Sequence, residues 1–127
     1  HEVHAFTHDM SSCYRQADLA VCRAGAATCA ELMLFGLPAL LVPYPYAARN
    51  HQFANARAMA KHGAADLVEE KDLDCAWLAE YLSGMMRARA RLARMRAAMA
   101  RGARTDAADA LANLVEQVAH DARLASV

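Results

Sequence analysis

Short apolar runs alternate with longer amphipathic stretches along this chain, and the alternation predicts strands and helices in turn. Residues 3–6 read as a short strand, 10–16 as a short helix, 19–22 as a strand and 27–35 as a helix stopped by Gly36. Ala39-Leu40-Leu41-Val42 is a continuous apolar run between Pro38 and Pro43, the mark of a strand buried on both faces of a parallel sheet. Pro43-Tyr44-Pro45-Tyr46 must then leave the sheet as an extended loop, because neither proline can donate to a ladder. A helix over 50–62 ends at Gly63, and 65–68 is a last short strand. Residues 72–85, 87–101 and 105–123 predict three further helices, punctuated by Gly84 and Gly102. The pattern implies an α/β fold, an open parallel sheet flanked by helices with a helical C-terminal tail. Ligands of such sheets sit at the carboxyl ends of the strands.

Two polar clusters fall at such ends. The first lies in Ala17-Asp18-Leu19-Ala20-Val21-Cys22-Arg23-Ala24-Gly25-Ala26-Ala27-Thr28-Cys29-Ala30-Glu31-Leu32, a strand, a small-residue turn and a helix. Gly25, with Ala24, Ala26 and Ala27 around it, lets backbone approach a ligand closely. The unpaired N–H groups of the first helical turn carry the positive end of the macrodipole, which suits a phosphate or diphosphate. Thr28 can cap or donate, and Glu31 lies far enough along the helix to accept from a ribose diol. The same turn is also how any α/β domain rounds a corner, so on its own it favours packing. The second cluster is Arg49-Asn50-His51-Gln52-Phe53-Ala54-Asn55-Ala56. Gln52 and Asn55, three apart, share a helix face and offer amides that suit sugar hydroxyls and an acetamido group. The competing reading is a helix cap at Asn50 followed by ordinary surface residues. His51 fits a hydrogen-bonding or surface role better than a general base.

With 127 residues the chain supports one domain, and its 14 basic and 14 acidic residues leave no net charge to attract nucleic acid. No apolar run is long enough to span a bilayer, and no signal peptide is expected. Cys13, Cys22, Cys29 and Cys75 lack metal-ligand spacing, so reduced structural thiols of a cytoplasmic protein are expected and no metal site. The first residue, His1, runs almost directly into an apolar segment, as expected of a piece of a longer protein. Between Arg87 and Arg104 there are seven arginines and no acid; Arg87, Arg91, Arg94 and Arg101 can share a face, read as solvated. Met85, Met86, Met95 and Met99 are expected to fill core gaps, and Tyr44 and Tyr46 to pack their loop against the sheet.

Taken together, Phe6-Thr7-His8-Asp9-Met10, Tyr14, Ala17-Asp18, Arg23-Ala24-Gly25-Ala26, Thr28, Glu31-Leu32, the run from Gly36 to Pro43, His51-Gln52-x-x-Asn55-Ala56 and Gly63-Ala64-Ala65 resemble the nucleotide-sugar half of the MurG family. Those enzymes are N-acetylglucosaminyltransferases that make lipid II, for peptidoglycan, on the cytoplasmic face of the membrane. The resemblance covers nearly the whole chain and is densest from Phe6 to Ala65. It implies a partial Rossmann-like C-terminal domain of a GT-B glycosyltransferase, with UDP-N-acetylglucosamine as its ligand.

Carried over position by position, the resemblance puts the uracil against the backbone at Thr7, with Met10 bordering the nucleotide pocket. The diphosphate and ribose fall to Gly25, Ala26, Ala27, Thr28, Cys29, Ala30 and Glu31, with Glu31 as ribose acceptor and Arg23 helping to neutralise the diphosphate. Gln52 and Asn55 fall against the N-acetylglucosamine ring. The resemblance implies inverting, metal-independent transfer with no cofactor, since helix-end donors hold the departing diphosphate. It also implies that the N-terminal acceptor domain, an earlier strand-turn-helix and the proposed catalytic base lie outside this chain. No residue here is therefore assigned as catalytic, and the chain alone is expected to be inactive. The lipid-linked acceptor would meet only the full enzyme. A standalone donor-binding subunit needing a partner chain, or a non-catalytic nucleotide-binding module, stand as alternatives.

Overall fold

The computed structural model describes residues 2–47, 50–103 and 105–124. His1, Arg49 and Arg104, named above, lie outside the described residues. Helix α1 (Met10–Gln16) opens where the Asp9 carboxylate accepts from the Ser12 N–H at 2.9 Å, replacing a hydrogen bond the first turn lacks. Strand β1 (Ala20–Cys22) leads through Gly25 into α2 (Ala26–Phe35). Helix α2 stops at Gly36, which adopts the left-handed conformation at φ 61°, and the Leu37 N–H closes back onto the Leu32 carbonyl at 2.9 Å. The buried strand β2 (Ala39–Leu41) follows, then α3 (His51–Lys61) and β3 (Ala65–Leu67). A 3-10 turn (Glu70–Asp72) precedes α4 (Cys75–Arg87), α5 (Arg89–Gly102) and α6 (Ala107–Leu124).

The three strands form one parallel sheet in the order β1-β2-β3, with Ala39 of β2 opposite both Ala20 and Ala65. Alternation along the strands divides the core. Ala39, Leu41 and Ala65 face one side, packed with Cys29 and Leu32 of α2, Ala56 and Met59 of α3, and Ala98 and Met99 of α5. Leu40 faces the other side, with Val42, Val68 and, from α4 and its approach, Leu73, Leu78 and Tyr81. Helix α5 is tied by charge as well as packing: Arg91 donates to both oxygens of Asp66 at 2.7 Å, and Arg96 to Asp18 at 2.7 Å. The open α/β architecture with a helical tail is thus as the residue pattern predicts.

Several local expectations give way. Residues 3–6 form no strand: Val3 is 93% and Phe6 74% exposed, and no backbone among the described residues pairs with the segment. Gly84 does not end a helix but sits exposed within α4. Met85, Met95 and Met99 are buried as expected, whereas Met86 is 78% exposed. Tyr46 is 83% exposed and meets Tyr44 edge-on rather than packing on the sheet. The arginine face is not wholly solvated, because Arg91 is committed to Asp66. Among the described residues no helix is long and apolar enough to cross a membrane.

Candidate functional site

The turn between β1 and α2 leaves the sheet at its carboxyl end. Gly25 occupies the N-cap position with extended backbone and no side chain to cap the helix. The first intrahelical bond runs from the Cys29 N–H to the Gly25 carbonyl at 2.9 Å. Ahead of it, the amides of Ala26, Ala27 and Thr28 are those a helix cannot satisfy internally. The first turn holds no acid, so an anion there meets no opposing carboxylate.

Glu31 stands further along α2, exposed to solvent, and accepts from the Tyr14 hydroxyl at 2.8 Å. Tyr14 comes from α1, where its ring packs against Phe35 with centroids 5.3 Å apart. Burial first, then the bond to the Glu31 carboxylate, pushes the phenol up to about 12. It therefore stays a donor at neutral pH. Met10 lies four residues before Tyr14 and shares its face of α1, while the Thr7 hydroxyl accepts from the Asp9 N–H at 3.2 Å.

The two amides on α3 are held in fixed senses. The Asn55 Nδ2 donates to the Ala24 carbonyl at 3.1 Å, and the Gln52 Oε1 accepts from the Tyr44 N–H at 2.9 Å. A backbone carbonyl only accepts and a backbone N–H only donates, so neither amide can be reversed without losing its bond. Gln52 is left offering N–H groups and Asn55 a carbonyl oxygen. Asn50 takes the N-cap position of α3 in left-handed conformation, but its side chain makes no capping bond. His51, the first residue of α3, is exposed.

Arg23 is committed within the protein. Its Nη1 donates to Glu70 at 2.6 Å and reaches the carbonyls of Val42 and Pro43, both at 3.3 Å, while the guanidinium lies 5.5 Å from the centre of the Tyr44 ring. Ala26, Cys29 and Asn55 share the wall of a cavity of about 540 Å³ between α2, α3 and α5. Thr7, Met10, Arg23, Glu31 and Gln52 stand outside that wall. A second cavity, of about 630 Å³, opens past the ends of β2 and β3 among Pro43, Tyr46, Asn50, Phe53, Glu69 and Glu70. Cys22 and Cys29 have thiols raised by burial, Cys22 to about 11, and all four cysteines are free. Among the described residues no group of His, Cys, Asp and Glu is gathered to hold a metal.

The residues that hold Glu31, Gln52 and Arg23 are Tyr14, expected only as part of the family resemblance, Tyr44, expected only to pack its loop, and Glu70, for which no role was expected. Of these only Tyr14 carried a local signal, its helical spacing from Met10.

The glycosyltransferase family 28 C-terminal domain matches residues 1–118. The chain is 47% identical over 118 residues to a Thiobacillus denitrificans protein named UDP-N-acetylglucosamine--N-acetylmuramyl-(pentapeptide) pyrophosphoryl-undecaprenol N-acetylglucosamine transferase, covering 93% of this chain and 32% of that protein. A protein of the same name from Nitratidesulfovibrio vulgaris is 47% identical over 115 residues, covering 90% of this chain and 32% of the relative. The chain thus spans about a third of the length of the curated relatives it matches. Among solved structures, MurG of Acinetobacter baumannii superposes with a TM-score of 0.84 at 33% identity, over 91% of this chain and 33% of that one. The glycotransferase of kitacinnamycin, at 24% identity and a TM-score of 0.62 over 88% of this chain and 29% of that one, shares the fold.

Proposed function

The chain belongs to the glycosyltransferase family 28 C-terminal domain family, and on that premise we propose that it binds UDP-N-acetylglucosamine as the donor half of an enzyme adding N-acetylglucosamine to a lipid-linked acceptor. The observation that carries this reading is the bond from Asn55 to the Ala24 carbonyl, which joins the amide-bearing helix to the glycine turn across 31 residues. One ligand with an anionic centre and a neutral polar end fits that junction. The diphosphate lies on the first-turn amides of α2, its ribose diol on Glu31 and its uracil against the backbone at Thr7, beside Met10. The sugar meets Gln52 and Asn55. An acetamido group has one carbonyl and one N–H, and the fixed amides offer a donor at Gln52 and an acceptor at Asn55.

In this reading the acceptor hydroxyl attacks the anomeric carbon with inversion, the bond to the diphosphate breaks, and the α2 amides stabilise the charge that develops on the departing UDP. No metal is required for that step. Arg23, shared with Glu70, contributes by holding the ends of β1 and β2 at the turn and adds only part of its charge. The acceptor, its base and its binding domain lie outside this chain. The complete enzyme would work at the inner face of the plasma membrane, supplying lipid II for peptidoglycan.

Titration calorimetry with UDP-N-acetylglucosamine, UDP, UDP-glucose and GDP tests the proposal. Uridine nucleotides are expected to bind in preference to GDP, and the acetamido sugar in preference to glucose. Equal affinity for UDP and GDP, or no binding of either, would overturn it.

A further inference from the structure

Glu31 is an exposed carboxylate on a helix surface, and such a side chain ordinarily samples several rotamers. Here one oxygen is claimed. The Tyr14 hydroxyl donates to its Oε2 at 2.8 Å across 17 residues of chain. The phenol is itself anchored, since the Tyr14 ring packs against the core that includes Cys29 and Leu32 and against Phe35 at 5.3 Å. A rigid donor therefore holds a flexible acceptor. Oε1 keeps both lone pairs, enough to accept from two adjacent hydroxyls.

We infer that Tyr14 is a positioning residue for the nucleoside, holding Glu31 by one oxygen so that the other faces a vicinal diol. The inference rests on the donor-binding reading above and extends it to a residue that touches no ligand. The same helix carries Met10 one turn earlier, so α1 links the base-bordering segment to the ribose acceptor. The amides on α3 make no bond to it. A change at Tyr14 should accordingly alter recognition of the ribose and leave the sugar untouched.

The experiment compares UDP with 2′,3′-dideoxy-UDP, which lacks the diol, by titration calorimetry on the 127-residue chain. The parent is expected to prefer UDP, and Glu31→Ala to abolish the preference. Tyr14→Phe keeps the ring and removes the donor. It should weaken UDP about fivefold to tenfold while leaving the dideoxy compound unchanged. A loss confined to the nucleotide that carries the diol is a reading that a merely structural tyrosine does not give, because a structural defect weakens both compounds alike.

Equal loss for both nucleotides with Tyr14→Phe overturns it, as does an unchanged preference while Glu31→Ala still removes it. If Tyr14→Phe does not fold, Glu31→Asp decides: it keeps the carboxylate but withdraws it from the Tyr14 hydroxyl by one methylene, and an undiminished preference for UDP overturns the inference. A parent that binds neither nucleotide, or Glu31→Ala that keeps the preference, instead overturns the donor reading at that residue.

Discussion

Arg23 and Glu70, 47 residues apart, meet through a 2.6 Å hydrogen bond at the carboxyl end of the sheet. The same guanidinium nitrogen reaches the carbonyls that end β2, so one side chain joins the exit of β1, the exit of β2 and the turn after β3. The candidate site is built on those three exits.

Arg23→Ala is expected to cost about 1–2 kcal/mol of stability, since it removes an ion pair, two longer carbonyl contacts and the cover over Tyr44. Glu70→Gln should cost less than about 1 kcal/mol, because the pair is largely exposed and solvent screens it. Urea unfolding of both variants measures this. An Arg23→Ala protein as stable as the parent would show that the tie contributes nothing.

At Asn55, the sign of the partner matters more than its size. Asn55→Asp sets a carboxylate against the Ala24 carbonyl, two acceptors facing each other, and is expected to cost about 1–3 kcal/mol. Asn55→Ala leaves the carbonyl of the buried Ala24 without its donor but sets no second acceptor against it, and should be milder. Thermal unfolding ranks them. The reverse order would mean that the bond is incidental.

Gln52→Ala should reduce discrimination between UDP-N-acetylglucosamine and UDP-glucose while changing UDP affinity less than twofold. The Tyr44 N–H it normally satisfies is exposed and turns to water. Competition titrations with the three ligands would expose a failure as an equal loss for all of them.

Two glycine substitutions should act in opposite directions. Gly36 sits at φ 61°, where an L side chain is strained, so Gly36→Ala is expected to destabilise by about 1 kcal/mol. Gly84 lies within α4 with nothing near an added Cβ, so Gly84→Ala should stabilise by up to about 1 kcal/mol. Denaturant midpoints of the pair test both signs at once.

Stability should fall on the alkaline side. Burial raises the Cys22 thiol from 9.0 to about 11 and the Tyr14 phenol from 10.0 to about 12, the latter aided by Glu31, and burial raises Tyr81 further, aided by Asp66. Each group binds its proton more tightly folded than unfolded. Its contribution is therefore complete below the unfolded value and declines as pH climbs toward the folded one. The loss should begin near pH 9 with Cys22 and steepen above pH 10 with the tyrosines. Tyr81→Phe should flatten the upper part of a stability-against-pH curve. A curve level from pH 8 to about 11 would contradict these assignments.

What could be read without coordinates follows from how local each signal is. The buried run at Leu40, the stop at Gly36 and the small-residue turn at Gly25 depend on a residue and its immediate neighbours, and all three stand. Val3 and Phe6 misled because a strand is a collective object: without a paired backbone beside it, an apolar tetrad has no reason to extend. Gly84 misled because a helix anchored at Asp74 and packed through Met85 tolerates one permissive residue on its exposed side. The partners of the site residues were hidden for a further reason. Tyr14 to Glu31, Arg23 to Glu70 and Tyr81 to Asp66 each join different elements, and no spacing along the chain announces a contact made only when those elements pack.

The strand order also bears on how quickly the domain can assemble. Parallel ladders are usually slow to close because their partners lie far apart along the chain. Here Ala20 finds Ala39, and Ala39 finds Ala65, each across a single helix and its loops. Each of these two ladders can therefore zip as soon as its own crossover has been made, beginning around β2.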